Sequence, residues 1–229
     1  MVTEHKGILI AIDGPSGSGK STVAKAIAVR LGITYLDTGA MYRALTWFCL
    51  EQGIDLDKTE LVRQQADSLD FSMTHDPHSP RFFAGDIDIT AEIRTPRVAE
   101  RVAEVARNLS VRSWMATEQR RVMTQARESG HGMIAEGRDI TTVVCPDADV
   151  RVLLLADEKE RLRRRTYELY GSDAPQYLKA TAKQIGERDR SDATVSDFFE
   201  AAEGVSVIDS TGKSIEDVVD EIVAMTRSL

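Results

Sequence analysis

The stretch GPSGSGKS, from Gly14 to Ser21, constrains the fold more than any other part of this sequence. It matches the pattern G-x-x-x-x-G-K-[ST] at every fixed position. It lies between a continuous apolar run, ILIAID, and a segment with helical spacing at Val23, Ile27 and Leu31. Glycines in such a loop let successive backbone N–H groups turn toward one anion, and the following helix adds its positive N-terminal end. The stretch therefore predicts a strand, a phosphate-binding loop and a helix.

The polar residues of this loop have expected tasks. Lys20 is expected to reach the β- and γ-phosphates of a nucleotide, and the Ser21 hydroxyl to join the coordination shell of Mg²⁺. The residues expected to surround the phosphates are Gly14, Pro15, Ser16, Gly17, Ser18, Gly19, Lys20, Ser21 and Thr22. Glu136 ends the later apolar run MIAEG, where it either holds the metal through water or faces solvent. The sequence leaves both interpretations open.

The order of the remaining segments predicts an α/β fold. ITYLD, MIAEG, VRVLLLA and VSVID are short apolar runs separated by segments of helical periodicity. This alternation favours a doubly wound parallel sheet of about five strands flanked by helices. LDFSMT and RFFAGDIDIT instead alternate apolar and polar residues around HDPHSP, which predicts a small antiparallel hairpin. We predict one domain over 1–229, with a core of about 1–62 and 111–229 and an inserted subdomain of about 63–110.

Several helix boundaries carry sequence signals. The segment TPRVAERVAEVARNL places Thr95 as a cap and Pro96 at the first helical position. Its expected apolar stripe consists of Val98, Val102, Val105 and Leu109. Helices are also predicted from Ala40 to Glu51 and from Ser110 to about Glu128. Asp157 with Glu160 has the spacing of a capping box and begins a helix that SDAPQYL is expected to end.

The charge balance limits the partners of such a chain. The formal net charge is −8 at pH 7 and the pI is about 5.1. A field of that sign repels phosphate backbones, so we expect neither a nucleic-acid nor a membrane partner. No apolar run approaches the roughly 18 residues that span a bilayer, and MVTEHKGILIAIDG is predicted to form a first strand rather than a signal sequence. We expect a cytoplasmic protein whose Cys49 and Cys145 are buried free thiols.

A phosphate loop by itself does not define a reaction. A GTPase would carry N-K-x-D after a later strand, which this sequence lacks, and an ATPase motor would show an acidic pair where MIAEG has one carboxylate. Small-molecule kinases remain. The run ERLRRR places Arg161, Arg164 and Arg165 on one helical face. That face is either a solvated surface or part of a lid, about 161–192, that closes on transferring phosphates.

The chain resembles the bacterial cytidylate kinases in their long form. The resemblance covers nearly the whole sequence and rests on IAIDGPSGSGKST, YLDTGAMYRA, GDIDITAEIRTPRV, EGRDITTVVCPDADV and ERDRSD. It implies the P-loop nucleoside monophosphate kinase fold, with a five-stranded parallel core, an inserted monophosphate-binding subdomain and a short arginine-bearing lid. It also implies phosphorylation of CMP and dCMP by ATP with Mg²⁺, in pyrimidine metabolism. The expected partner is therefore a small-molecule nucleotide, and we expect a monomer.

The resemblance also implies residue roles. Catalysis is assigned to Lys20, Arg138, Arg164 and Arg188. Binding of the nucleotide monophosphate is assigned to Thr38, Tyr42, Arg43, Arg112, Arg138, Asp139, Arg188 and Asp192. In that set Arg43 and Arg138 are implied to bind phosphate, and Arg112 and Asp139 to bind the cytosine edge.

The sequence departs from the family pattern at several places, one of which is SDF where a proline-leucine pair is usual. Ala103 stands where many members have a serine, Val195 where another arginine is common, and Thr141 where glycine is common. The missing hydroxyl and guanidinium leave open a kinase for UMP or another small acceptor. A nucleotide-binding regulatory module, using its phosphate loop as a switch, also stays open.

Overall fold

A computed structural model of the chain describes residues 6–193 and 198–227. In the helix that ends at Ala193, the side chains of residues 183, 184, 187–189 and 191–193 lie outside that description. All statements about contacts below concern the described part.

Strands and helices alternate along most of the chain. The strands are β1 Leu9–Asp13, β2 Thr34–Asp37, β3 Phe71–Met73, β4 Phe82–Ala84, β5 Ile87–Asp88, β6 Met133–Gly137, β7 Val150–Leu155 and β8 Ser206–Asp209. The helices are α1 Lys20–Leu31, α2 Thr38–Glu51, α3 Thr59–Ser68, α4 Pro96–Ala106, α5 Leu109–Glu128, α6 Glu158–Tyr170, α7 Pro175–Ala193 and α8 Ile215–Thr226.

Five strands form one parallel sheet in the order β2-β6-β1-β7-β8. The predicted α/β class and strand number are confirmed. Alternate side chains of β1 point to opposite faces: Leu9 and Ala11 belong to one hydrophobic cluster, and Ile10 and Ile12 to another. Every residue of β1 and β6 is buried, as expected for apolar strands covered on both faces. The sheet is therefore a rigid base for the loops at its edges.

A second, smaller sheet lies between α3 and α4 in the chain. It has the order β3-β4-β5, and its pairs are antiparallel, so the predicted hairpin is present with one strand more than expected. Phe82, Ile89 and Ile93 pack against Ala40 and Ala44 of α2. Helix α2 consequently joins the small sheet to the main one.

The start of α2 and the cap of α4 differ from the sequence prediction because of local hydrogen bonds, although α4 begins at Pro96 as predicted. Helix α2 begins at Thr38 rather than Ala40, since the Asp37 carboxylate accepts from the Ala40 N–H at 2.9 Å. Thr95 makes no side-chain cap for α4. Its hydroxyl donates to the Glu92 carbonyl at 2.8 Å instead.

The predicted apolar stripe of α4 is wrong at its last member. Helix α4 ends at Ala106, and Leu109 is 70% exposed as the first residue of α5. Asn108 separates the two helices, because its side chain accepts from Ser110 N–H at 3.1 Å and from Val111 N–H at 3.3 Å. The Asn108 cap thus ends the apolar stripe of α4 before Leu109, although the apolar spacing in the sequence continues to that residue.

The signals around α6 are confirmed in part. Asp157 accepts from the Glu160 N–H at 2.6 Å, as a cap does, while the Glu160 carboxylate pairs with Arg163 and Arg164. The break after α6 is shorter than predicted, because α7 already begins at Pro175.

The remaining expectations concern thiols and membranes. Cys49 and Cys145 are both buried and free, as predicted. Burial raises the pKa of Cys49 to about 11 and that of Cys145 to about 12, so both stay protonated thiols at neutral pH. None of the helices in the described ranges is both long and apolar enough to cross a bilayer.

Replacing Asn108 tests the junction of α4 and α5. Its amide also donates to the Thr59 carbonyl at 2.7 Å, so Asn108→Ala removes a cap and a tie to α3 together. We expect a loss of about 1–3 kcal/mol in the free energy of unfolding, measured by denaturant titration. The exposed Ser110→Ala is the control. Equal stability of the two variants would contradict the assigned cap.

Candidate functional site

The carboxyl ends of the parallel strands lie along one edge of the sheet. Asp13 pairs in register with Gly137 on one side and Leu153 on the other, and Asp37 pairs with Glu136. Strand β1 is central, and the loops that follow β1 and β6 leave the sheet side by side. Ligands of doubly wound sheets bind at this edge, so the candidate site is built here.

The predicted phosphate loop connects β1 to α1, as expected. Gly17 and Gly19 have φ of +77° and +94°, which favours glycine at both positions. A Cβ at Gly17 would lie 2.4 Å from the Arg161 carbonyl oxygen, so helix α6 closely approaches the loop. Lys20 is nearly buried, and its Nζ donates to the Pro15 carbonyl at 2.9 Å. Lys20 therefore contacts the backbone of the loop in which it is expected to bind phosphate.

Glu136 lies beside the Ser21 hydroxyl and does not face solvent. The Ser21 Oγ donates to Glu136 Oε1 at 2.7 Å, and the Tyr35 hydroxyl donates to the same oxygen at 3.2 Å. Burial, followed by the charges of Glu136 and Asp37, raises the pKa of Tyr35, so its phenol stays a donor. A carboxylate next to a hydroxyl is a donor set that suits Mg²⁺. The sequence did not single out Tyr35, whose only signal is its place in ITYLD.

Asp13 is a second residue that the sequence interpretation missed. It is 2% exposed and accepts three hydrogen bonds, from Ile140 N–H at 2.9 Å and from the N–H and hydroxyl of Thr141 at 2.7 Å each. These bonds hold the π-helical turn Ile140–Val144, which directly follows Arg138 and Asp139. Thr141, an atypical residue at its position, supplies two of them, one from its backbone N–H and one from its hydroxyl.

Burial of Asp13 outweighs its hydrogen bonds in setting its pKa. Desolvation raises the pKa of the carboxyl to about 6, although the bonds from Thr141 and Ile140 favour the charged form. Asp13 joins β1 to the turn after β6, and its carboxyl consequently changes its charge in the mildly acidic pH range.

The residues of LDTGAMYR divide between the core and the site. The Thr38 hydroxyl donates to the Glu136 carbonyl at 2.8 Å, and Tyr42 packs half-buried against the core cluster. Arg43 is different. Its Nη1 is buried and has no hydrogen-bond partner among the described residues. Because a buried guanidinium N–H is costly to leave unsatisfied, Arg43 is suited to an anion.

Arg112 and Asp139 form an ion pair between Nη2 and Oδ2. Their side chains are 13% and 14% exposed, and Arg112 also donates to the Ala106 carbonyl at 3.3 Å. Asp139 therefore does not serve as the side-chain cap of the following turn. The structure brings the two residues together, with a donor and an acceptor side by side.

Arg138 lies beside the first glycine of the phosphate loop. Its Nη1 donates to the Gly14 carbonyl at 3.3 Å, and its Cζ lies 4.4 Å from the ring centroid of Phe198. The residue after β6 and the residue after β1 are thus in direct contact.

The arginines of α6 do not act as one group. Arg161 Nη1 donates to the Ser16 carbonyl at 3.0 Å. Arg164 donates to the Ser18 carbonyl at 3.4 Å and to the hydroxyl and carbonyl of Ser210 at 2.9 Å each. Arg165 pairs with Glu168 instead. Arg161 and Arg164 therefore hold the outer carbonyl groups of the phosphate loop, and contact of Arg164 with a phosphate stays a prediction.

Some predicted positions cannot be located at this site. The side chains of Arg188 and Asp192, and residue Val195, lie outside the described part of the chain. Ala103 lies half-buried on α4.

Comparison with known proteins identifies relatives over nearly the whole chain. The family model described as cytidylate kinase matches residues 10–228. The cytidylate kinase of Cutibacterium acnes is 42% identical over 222 residues, 94% of each chain. That of Streptococcus thermophilus is 41% identical over 228 residues, 98% of each chain.

Other relatives are longer than this chain. The bifunctional pantoate ligase/cytidylate kinase of Trichormus variabilis is 42% identical over 221 residues, which are 94% of this chain and 40% of that protein. The chain spans less than half the length of the bifunctional relatives that it matches.

The pH dependence of stability tests the burial of Asp13. Because the pKa of Asp13 is raised in the folded protein, its contribution to the free energy of unfolding falls as pH rises from about 4 to about 6, by roughly 3 kcal/mol at most. Asp13→Asn cannot titrate. We therefore expect the stability of the parent relative to this variant to decrease across that range, measured by urea unfolding at several pH values.

The surface substitution Asp86→Asn controls for the loss of one negative charge. A difference between parent and Asp13→Asn that stays constant from pH 4 to pH 6 would show that Asp13 has no raised pKa.

Proposed function

Because the chain belongs to the cytidylate kinase family, we propose that it transfers the γ-phosphoryl group of ATP to the 5′-phosphate of CMP or dCMP. The products are ADP and CDP or dCDP. The observation that carries the proposal is the buried Nη1 of Arg43, which has no hydrogen-bond partner within residues 6–193 and 198–227 as far as they are described. It belongs to the helix that follows β2, at the same sheet edge as the phosphate loop that follows β1.

The donor side consists of the phosphate loop and the start of α1. The loop N–H groups and Lys20 bind the phosphates of ATP, with Lys20 exchanging the Pro15 carbonyl for a phosphate oxygen. Ser21 and Glu136 would hold Mg²⁺, Glu136 through water. When bound, the metal would supply positive charge that neutralises the transferring phosphate. The hydrogen bond from Tyr35 keeps the Glu136 carboxylate turned toward Ser21.

The acceptor side requires no general base. The attacking oxygen of a nucleoside monophosphate is already anionic, so catalysis consists of positioning and charge neutralisation. Arg43 and Arg138 bind the acceptor and the transferring phosphates, and guanidinium groups suit this task through paired N–H donors. The contact of Arg138 with Gly14 supports its role, since it places this cation beside the donor loop. Thr38 and Tyr42 form the adjacent wall of the pocket.

Arg112 and Asp139 recognise the base. Cytosine presents an exocyclic amine, a donor, next to ring acceptors. The Asp139 carboxylate accepts from the amine and Arg112 donates to the acceptors. Uracil has a carbonyl oxygen in place of the amine, which would face the carboxylate as acceptor against acceptor. The ion pair of these two residues supports this assignment, because it holds both side chains in one orientation.

The remaining assignments concern the movable parts. Residues of about 63–110 form the monophosphate-binding insert and residues of about 161–192 the lid. In the lid, Arg164 and Arg188 contact the transferring phosphate on closure, and Asp192 contacts the sugar hydroxyls. The protein acts as a cytoplasmic monomer without nucleic-acid or membrane partners.

Lys20→Ala tests the donor assignment. Loss of the ammonium removes charge stabilisation of the transferring group, so we expect CMP-dependent ADP release to fall at least 10³-fold, as for other essential cations of phosphoryl transfer. Circular dichroism should show that the fold survives. The exposed Lys159→Ala is the matched control. Activity of Lys20→Ala within a factor of about two of the parent would overturn the assignment.

An acceptor panel of CMP, dCMP, UMP, AMP and shikimate tests the activity itself. ADP release should be clearly fastest with CMP or dCMP. Tight ATP binding without turnover on any acceptor would instead favour a regulatory module.

Asp139→Asn tests the reading of the base. Its amide can donate to the uracil oxygen, so we expect the kcat/KM ratio of CMP to UMP to fall by roughly tenfold or more. An unchanged ratio in a folded variant would remove Asp139 from base recognition.

A further inference from the structure

Phe198 is a buried aromatic residue outside the main cores. Its exposure is 0%, yet it belongs to none of the three hydrophobic clusters formed by the described residues. Its ring centroid lies 4.4 Å from the Arg138 Cζ and 4.6 Å from the ring centroid of Phe199. Phe199 is 43% exposed. The ring of Phe198 is therefore enclosed in a small local group that includes a cation assigned to phosphate.

The contact with Arg138 has the geometry of a cation–π interaction. A guanidinium within about 6 Å of a ring centroid is attracted by the negative face of the ring. The attraction is stronger when the pair is withdrawn from water, and Phe198 is fully buried. The buried ring of Phe198 therefore attracts the guanidinium of Arg138.

Two complementary contacts act on the guanidinium of Arg138. Its Nη1 donates to the Gly14 carbonyl, which fixes one corner of the guanidinium. The ring of Phe198 packs against the guanidinium and opposes its rotation. A ring engages the charge of the guanidinium without accepting any of its five N–H groups, so this contact uses none of its donors.

We propose that Phe198 is a positioning residue that orients Arg138 toward the transferring phosphoryl group. The proposal rests on the proposed function, in which Arg138 binds phosphate. A guanidinium oriented before substrate binds loses less rotamer freedom during the reaction. Phe198 therefore raises kcat through Arg138, without touching substrate itself.

An aliphatic side chain would not replace the ring. Leucine fills much of the same volume and is equally apolar, but it has no negative face. A cation–π contact of ordinary strength corresponds to a factor of roughly 3 to 30. We expect Phe198→Leu to lower kcat by that factor, with the KM for ATP changed less than about twofold. If the substitution disrupted the phosphate loop, the KM for ATP would rise instead.

The matched control is Phe199→Leu. It changes the adjacent, exposed aromatic residue, whose ring contacts Phe198. We expect kcat to stay within about twofold of the parent. In an Arg138→Leu background, Phe198→Leu should cause no further loss, since the group that it orients is gone.

Fluorinated analogues separate orientation from packing. Mono-, di- and trifluorinated phenylalanine at position 198 keep the ring shape and progressively weaken its negative face. We expect kcat with CMP to fall stepwise along this series while thermal stability changes little. Equal kcat for all analogues, or a full effect of Phe198→Leu without Arg138, would overturn the proposal.

A measurement without turnover distinguishes this proposal from the function on which it rests. In the parent, the Arg138 Nε–H should show an upfield ring-current shift by NMR that Phe198→Leu abolishes and Phe199→Leu retains. Absence of this shift overturns the orienting role even in an active enzyme. If the shift is present and the parent transfers no phosphoryl group to CMP, the proposed function fails while the orientation of Arg138 by Phe198 stands.

Discussion

The buried carboxylate of Asp13 joins the two loops on which the site depends. It ends the central strand, immediately before the phosphate loop, and it accepts three hydrogen bonds from the turn that follows Arg138 and Asp139. The donor loop and the segment assigned to phosphate and base are thereby held together by one side chain. The cost of burying the carboxylate appears as its raised pKa, and the three bonds offset part of that cost.

A protein of net charge −8 must bind anions by local arrangement of cations. The arginines near the phosphate loop achieve this with distinct contacts. Arg161 and Arg164 donate to loop carbonyl groups, which leaves the N–H groups of the loop to turn toward an anion. Arg43 keeps a buried N–H without a partner among the described residues. Arg161 and Arg164 therefore stabilise the loop, whereas Arg43 is suited to bind a ligand.

Much of the fold was predictable because its signals are local. The apolar runs, the glycine loop and the helix periods predicted five parallel strands and an antiparallel insertion, and both are present. The errors arose where a side chain redirected the backbone. Asp37 starts α2 early, and Asn108 interrupts the stripe that should have included Leu109. Such caps depend on which of several polar residues reaches a free N–H, and spacing alone does not decide that.

The sequence by itself determined the chemistry that is available: a phosphate loop with Lys20 and Ser21, arginines in several later segments, and motifs of one kinase family. The tertiary structure decided which of these groups meet. It paired Arg112 with Asp139, Ser21 with Glu136 and Arg138 with Phe198, and it turned Arg161 and Arg164 toward the loop backbone. The physical reason is that these contacts join residues far apart in the chain. Their distances follow from strand register and helix packing, which local sequence patterns do not encode.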